Sequence, residues 1–169
     1  MMKIFMIVSI ILMPLFSLTL NNRQCRNAKF IYNKTANKIF AYLLIALALK
    51  ESSLDDRKIN ICDLRFKGRC YNSLNLFQTN LHTAKLLYPN ISFKVLEKRL
   101  KKSRYFALKI TKELFRSNAK MIKDNKYISE RYIKDILKIY HRGKITKKSI
   151  YANELYELYL YLKKGIKCK

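Results

Sequence analysis

The run LLIALALK at residues 43–50 is apolar on nearly every side, and it stops at a glutamate, Glu51. A helix that is apolar all round has to be buried on all sides. The run therefore predicts the centre of a protein core, with a carboxyl group at the end of the buried helix. The chain has only three glycines and two prolines, and no stretch alternates apolar and polar residues for long. This pattern favours helices joined by short connections, so we expect an all-α fold.

Capping and breaking residues divide the chain into segments. We expect an irregular loop or small hairpin at 54–72, where no helical period holds. The expected helices cover about 27–51, 79–88 up to Pro89, a segment capped by Ser92, a longer one through Phe106 and Phe115, one capped by Ser129, and 149–164 up to Gly165. No internal repeat or linker is visible, so residues 21–169 are expected to form a single domain.

The first 20 residues, MMKIFMIVSIILMPLFSLTL, differ in composition from the rest of the chain. One lysine followed by an apolar run that ends in small polar residues is the layout of a secretory signal peptide. The run is also long enough for an uncleaved N-terminal anchor, which stays an alternative. In either case the rest of the chain is expected to be exported to the periplasm or cell-wall space, with inner-membrane anchoring if the leader is kept.

Four cysteines in an exported chain predict two disulfides. We pair Cys62 with Cys70, which flank a short polar loop, and Cys25 with Cys168, which lie near the two ends. Zinc is disfavoured because the chain has no C-x-x-C spacing and its two histidines are far apart in sequence. We therefore expect no metal site.

A net charge of +25 favours an anionic partner. Nucleic acid is the common partner of such chains, but an exported protein rarely meets it, so we expect none. Bacterial wall polymer or an anionic membrane surface fits export better. A simpler explanation stays open, because the chain is rich in Lys, Ile, Asn and Tyr together, as an AT-rich genome would produce.

Glu51 is suited to proton transfer if it is buried. Burial disfavours the charged form of a carboxyl group, so a buried glutamate can keep a proton and donate it to a leaving oxygen. Glycoside cleavage requires such a donor. The alternative is that Glu51 only ends its helix in solvent.

Three stretches, KES at 50–52, SLNLFQTNLHTA at 73–84 and IYHRG at 139–143, together resemble the signature segments of the lytic transglycosylase domain, which shares a superfamily with goose-type lysozyme. The resemblance covers about residues 28–162 and implies a lysozyme-like compact helical domain with a substrate groove. The positions that match are Glu51 and Ser52 in the first stretch, Leu76, Phe77, Gln78, Asn80, Thr83 and Ala84 in the second, and Tyr140 and Gly143 in the third.

The resemblance implies a function and a site. Glu51 would act as general acid and then as base in cleaving the β-1,4 bond between N-acetylmuramic acid (MurNAc) and N-acetylglucosamine (GlcNAc) in peptidoglycan. The sugar's own 6-hydroxyl would attack and leave a 1,6-anhydro end, so no cofactor is expected. The implied substrate-binding residues are Ser73, Gln78, Asn80 and Tyr140, and the implied supporting residues are Ser52, Phe77 and His141. The expected partners are glycan strands and a secretion, conjugation or flagellar apparatus, and a monomer is expected.

Departures from the family pattern keep other interpretations open. Asn75 replaces the usual glycine, although asparagine tolerates positive φ better than most residues. His141 replaces the usual asparagine, which puts the sugar contacts of that segment in doubt. Asp55 follows Glu51 at i+4, so a two-carboxylate lysozyme-type hydrolase is an alternative. A catalytically inactive wall-binding or assembly protein and a cationic membrane-active protein are the others.

Helix capping and core packing are alternatives to sugar binding for three of these residues. Gln78 and Asn80 would also suit the cap of the helix that follows them. Phe77 is more easily explained as a core residue than as a ring that stacks on sugar.

Overall fold

The computed structural model describes residues 19–121, 133–135, 137, 140 and 149–169. Most of these residues are helical, and a small sheet accompanies the helices. The all-α expectation was therefore wrong about the sheet and right about the predominance of helix. In chain order the elements are β1 (Thr19–Leu20), α1 (Asn22–Asn33), α2 (Lys38–Ser52), β2 (Ile59–Phe66), β3 (Arg69–Leu74), β4 (Thr79–Asn80), α3 (Leu81–Leu87), α4 (Phe93–Lys102), α5 (Arg104–Met121), α6 (Ile150–Lys163) and β5 (Lys167–Cys168).

The first expected helix, 27–51, is two helices in the structure. α1 ends at Asn33, and α2 begins after Asn37, whose side chain accepts a hydrogen bond from the Phe40 N–H at 3.0 Å. An asparagine at this position satisfies an N–H group that has no partner within the helix. The break therefore has a local chemical cause that the apolar spacing did not reveal.

Helix α2 forms the centre of the core, as the sequence predicted. Nine of its 15 residues are buried, and the helix packs against α1 and α6. Burying one large apolar side chain of this kind stabilises the fold by about 1.5–3 kcal/mol. Its neighbours in the core include Ile31 of α1 and Leu155, Tyr159 and Leu162 of α6.

The segment expected as a loop or small hairpin is a hairpin, and it belongs to a three-stranded antiparallel sheet in the order β2-β3-β4. Lys67 and Gly68 form its turn with φ angles of 47° and 75°. Two positive φ angles match the twist of the flanking strands, which is why such turns favour glycine. The register shifts between Asn60 and Leu64, so the alternation typical of a strand is interrupted in the sequence.

The two ends of the described chain lie side by side. β1 pairs in parallel with β5, and Cys25 is bonded to Cys168. The Lys169 N–H donates to the Leu20 carbonyl at 3.0 Å, and the Leu20 side chain is buried. Residues 1–18 of the expected leader lie outside the described residues. Cleavage after Leu20 would remove β1, whereas cleavage before Thr19 would keep this pairing.

The remaining helices follow the expected pattern closely. Ser92 caps α4 by accepting from the Val95 N–H at 3.4 Å, and α6 ends just before Gly165, where φ is 138°. The cap expected at Ser129 lies outside the described residues. Both expected disulfides, Cys25–Cys168 and Cys62–Cys70, are present. Across the described ranges, no helix is both long and apolar enough to cross a membrane.

Candidate functional site

Glu51 lies in the last turn of α2, and it is partly exposed, so the full burial on which its role as a proton donor was argued is not found. The chain leaves the helix sharply, because Ser53 and Leu54 both adopt left-handed φ angles of 56° and 58°. Their N–H groups donate to the carbonyls of Leu49 and Ala48 at 2.9 and 3.0 Å, which satisfies the helix end. The carboxyl group thus stands at the edge of the core on a well-ordered helix terminus.

Two tyrosines approach this carboxyl group. The Tyr151 hydroxyl, on α6, donates a hydrogen bond to Glu51 Oε1. Burial, then the charge of Glu51 and this hydrogen bond, raise the pKa of Tyr151. Burial and, second, the charge of Glu51 also raise the pKa of Tyr140. Both phenols therefore remain protonated at neutral pH and can act as hydrogen-bond donors beside the carboxylate.

Stacking and packing hold Tyr140 in place. Its ring stacks on Phe115 of α5, with centroids 4.8 Å apart, and Phe115 in turn contacts Phe40 at the start of α2. The substrate-binding role expected of Tyr140 stays a prediction. His141 and Gly143, the other two residues singled out in that segment, lie outside the described residues.

The second signature stretch begins with a tight turn at residues 75–78. Asn75 has a φ of 70°, so asparagine does take the positive φ expected where the family has glycine. Its N–H donates to the Lys58 carbonyl at 2.9 Å, and the Gln78 N–H donates to the Asn75 carbonyl at 3.1 Å. The Asn75 side-chain amide also donates to the Leu100 carbonyl at 2.6 Å, which joins the turn to α4.

Ser52 joins this turn to the end of α2. Its buried hydroxyl lies 2.7 Å from the Leu76 carbonyl and 2.9 Å from the Ala48 carbonyl. Lys58 makes a second connection, because its Nζ donates to the Glu51 backbone carbonyl at 2.9 Å. Ser52 therefore connects the end of α2 directly to the second stretch, and Lys58 connects them indirectly, because its own carbonyl accepts from the Asn75 N–H.

The side-chain amide of Gln78 points toward the interior of the fold. Its Nε2 donates to the backbone carbonyls of Asn75 and Lys58 at 2.8 and 3.1 Å. Its Oε1 is buried and has no hydrogen-bond partner within the described part of the chain. Gln78 does not cap α3, and its amide is directed into the fold rather than toward a substrate.

Ser73 and Asn80 face each other across β3 and β4. Asn80 Nδ2 donates to Ser73 Oγ at 3.3 Å, and Ser73 Oγ donates to Asp63 Oδ2 at 2.5 Å. Asn80 also caps α3, since its side-chain oxygen accepts from the His82 N–H at 2.9 Å. The capping interpretation is therefore right for Asn80. Phe77 is buried, as the interpretation as a core residue predicts.

The two acids after Glu51 lie outside the helix. α2 ends at Ser52, so Asp55 does not share a helical face with Glu51. Arg23 contacts Asp55 at 3.8 Å and Asp56 at 3.2 Å, and Arg57 also contacts Asp55. These ion pairs give both acids a structural role.

Tyr151 is the site residue that the sequence interpretation missed. Helix α6 carries four tyrosines, and nothing in the sequence marks the one that faces Glu51.

Comparison of the chain with protein-family models, with curated proteins and with solved structures finds no match. Within the described residues, no cluster of His, Cys, Asp or Glu side chains could hold a metal ion.

Proposed function

We propose that this chain is a lytic transglycosylase with a lysozyme-like fold, and that it cleaves peptidoglycan glycan strands between MurNAc and GlcNAc. The observation that carries the proposal is the setting of Glu51. A partly exposed carboxyl group stands at the end of a buried helix, with the hydroxyl of Tyr151 on one of its oxygens.

The proposed reaction needs a single carboxyl group. Protonated Glu51 donates its proton to the oxygen that links MurNAc C1 to GlcNAc, and the C1–O bond breaks. The carboxylate then accepts the proton of the MurNAc 6-hydroxyl while that oxygen bonds to C1. GlcNAc leaves with a hydroxyl group, MurNAc becomes a 1,6-anhydro sugar, and no water is consumed.

The neighbouring residues suit this sequence of steps. A donor on one carboxylate oxygen fixes the orientation of the group and leaves the other oxygen for proton transfer. The pairing of Asp55 and Asp56 with arginine favours the one-carboxylate reaction over a two-carboxylate hydrolase.

The net charge fits the proposed substrate. Bacterial wall is anionic, and a charge of +25 would hold the protein there by an attraction that salt weakens. Export, which the leader and the two disulfides favour, would bring the chain to that compartment. A secretion, conjugation or flagellar apparatus that needs a local gap in the wall is the partner that we propose.

Digestion of purified peptidoglycan tests the proposal. The chain without its leader should release anhydro-muropeptides, and Glu51→Gln should reduce their release by about 10²–10⁴-fold, as expected for loss of a general acid. The matched control is Glu154→Gln, which removes an acid of α6 that pairs with Lys50 and should leave the release unchanged. Equal release by Glu51→Gln and the unaltered chain would contradict the proposal.

The same assay separates the other functions. Wall binding without any released fragment would indicate an inactive wall-binding protein. Lysis of vesicles by both the unaltered chain and Glu51→Gln, without glycan cleavage, would indicate a membrane-active protein.

A further inference from the structure

Four ring side chains form a cluster outside the core, which we name the hairpin platform: Phe66 of β2, Tyr71 of β3, His82 of α3 and Phe93 of α4. The His82 ring lies 4.6 Å from the Phe66 ring and 5.0 Å from the Tyr71 ring, between centroids. The Tyr71 and Phe93 rings are 5.4 Å apart. The rings therefore form a continuous row across four elements.

Two rings of the hairpin platform are exposed, whereas Tyr71 and His82 are partly buried. Phe66 is 43% exposed and Phe93 is 36% exposed, whereas Phe77 and Phe115 are almost fully buried. Exposed apolar area gives none of the stabilisation that burial gives. Clustered exposed rings are more often a binding surface than single ones, which need no explanation.

The surface is also held in shape before any ligand arrives. Cys62 and Cys70 join the two strands of the hairpin, and Lys67 and Gly68 close it with a two-residue turn. Fixing a binding surface in advance reduces the entropy that is lost on binding. Phe66 stands immediately before this turn, so the disulfide and the turn together fix its position.

The hairpin platform continues from the polar pair Ser73 and Asn80. Tyr71 and Ser73 are two residues apart on β3, so their side chains lie on the same face of the sheet. Leu64 and Phe66 lie on that face as well, because Leu64 pairs with Tyr71 and Phe66 with Arg69. A row of rings that leads away from polar side chains is the usual composition of a site that binds a partly apolar, partly polar ligand.

The geometry points to a sugar-binding subsite: the hairpin platform stacks on an N-acetylhexosamine ring of the glycan strand, some sugars away from the bond that is cleaved. This inference rests on the proposed function. The C–H face of a pyranose is apolar and suits an aromatic face, and its polar groups suit the partly buried Asn80, whereas Ser73 is fully buried and positions Asn80 from below. Lys67 and Arg69 at the hairpin turn would face the carboxylates that muramic acid and its peptides carry.

Titration calorimetry with a GlcNAc hexasaccharide tests the subsite, with every variant made in the Glu51→Gln chain so that no cleavage occurs. We expect Phe66→Ala and Phe93→Ala each to weaken hexasaccharide binding about three- to tenfold, the usual effect of losing one aromatic contact. Phe66→Tyr should restore binding. Tyr105→Ala is the matched control, since Tyr105 is 60% exposed on α5 and lies outside the platform. Thermal unfolding of each variant checks that the hairpin still folds.

Several results would overturn the inference. If Phe66→Ala and Phe93→Ala bind the hexasaccharide as tightly as Tyr105→Ala does, the inference is wrong. Unchanged sugar binding with lost binding to vesicles of anionic phospholipid would identify a membrane contact instead.

Different results would contradict the subsite and the proposed reaction. A chain whose hexasaccharide binding depends on Phe66, but which releases no anhydro fragments before Glu51 is changed, would support the subsite and contradict the lyase.

Discussion

Replacing Ser52 by alanine tests whether the link between α2 and the turn at residues 75–78 stabilises the site. The Ser52 hydroxyl is buried and lies 2.7 Å from the Leu76 carbonyl. The Ala48 carbonyl also accepts the Leu54 N–H at 3.0 Å, so it keeps a partner when the hydroxyl is lost. The Leu76 carbonyl would lose the hydroxyl that it accepts from.

The expected loss of stability comes from the Leu76 carbonyl, because the Ala48 carbonyl keeps a partner. Leaving one buried acceptor without its partner costs about 1–3 kcal/mol. A loss of about 2 kcal/mol lowers the melting temperature of a chain of this size by about 4–8 °C. Ser117→Ala is the control, because Ser117 is exposed on α5 and its replacement should change the free energy of unfolding by less than about 0.5 kcal/mol.

Circular dichroism during heating, with both disulfides intact, measures the effect. We expect Ser52→Ala to unfold several degrees below both the unaltered chain and Ser117→Ala. A melting temperature for Ser52→Ala that equals the control would refute the reasoning, because the bond to Leu76 would then contribute nothing.

Three further predictions follow from the contacts of the site and the disulfides. Tyr151→Phe removes a charge-assisted hydrogen bond worth about 1.5–3 kcal/mol. The kcat/KM for wall cleavage should therefore fall about ten- to a hundredfold, with KM little changed. The control, Tyr156→Phe on the same helix, should match the unaltered chain. Asp55→Asn should keep full cleavage in the same assay, and an inactive Asp55→Asn that still folds would favour the two-carboxylate hydrolase. Replacing Cys25 and Cys168 by alanine opens a loop of sequence separation 143 and should cost about 5 kcal/mol in denaturant unfolding, against about 2.5 kcal/mol for the hairpin disulfide at separation 8; equal losses would contradict the loop argument.

Local chemistry made several features predictable from the sequence. An apolar run on all sides of a helix can only be buried, so the place of α2 and of Glu51 at its end followed directly. Ser92 was recognisable as a cap because its hydroxyl can accept from the first turn of a helix. Asn75 was recognisable as a residue that tolerates positive φ, and it has a φ of 70°.

Features that depend on tertiary context were not predictable in the same way. The break before α2 follows from one cap at Asn37 inside a stretch whose spacing suits a continuous helix. The sheet was expected only as a possible small hairpin, because its longest strand contains a register shift that hides the alternation. Tyr151 was missed because its contact with Glu51 spans 100 positions of sequence. Gln78 turned inward because the carbonyls of Asn75 and Lys58 were available to it, which only the folded chain shows.

The most direct test of the proposed reaction is digestion of peptidoglycan in water labelled with heavy oxygen, followed by mass analysis of the muramic acid ends. Attack by the sugar's own 6-hydroxyl consumes no water, so the account predicts anhydro ends that carry no label. Heavy oxygen at C1 of the muramic acid would show that water is the nucleophile, and it would contradict the one-carboxylate lyase reaction assigned to Glu51.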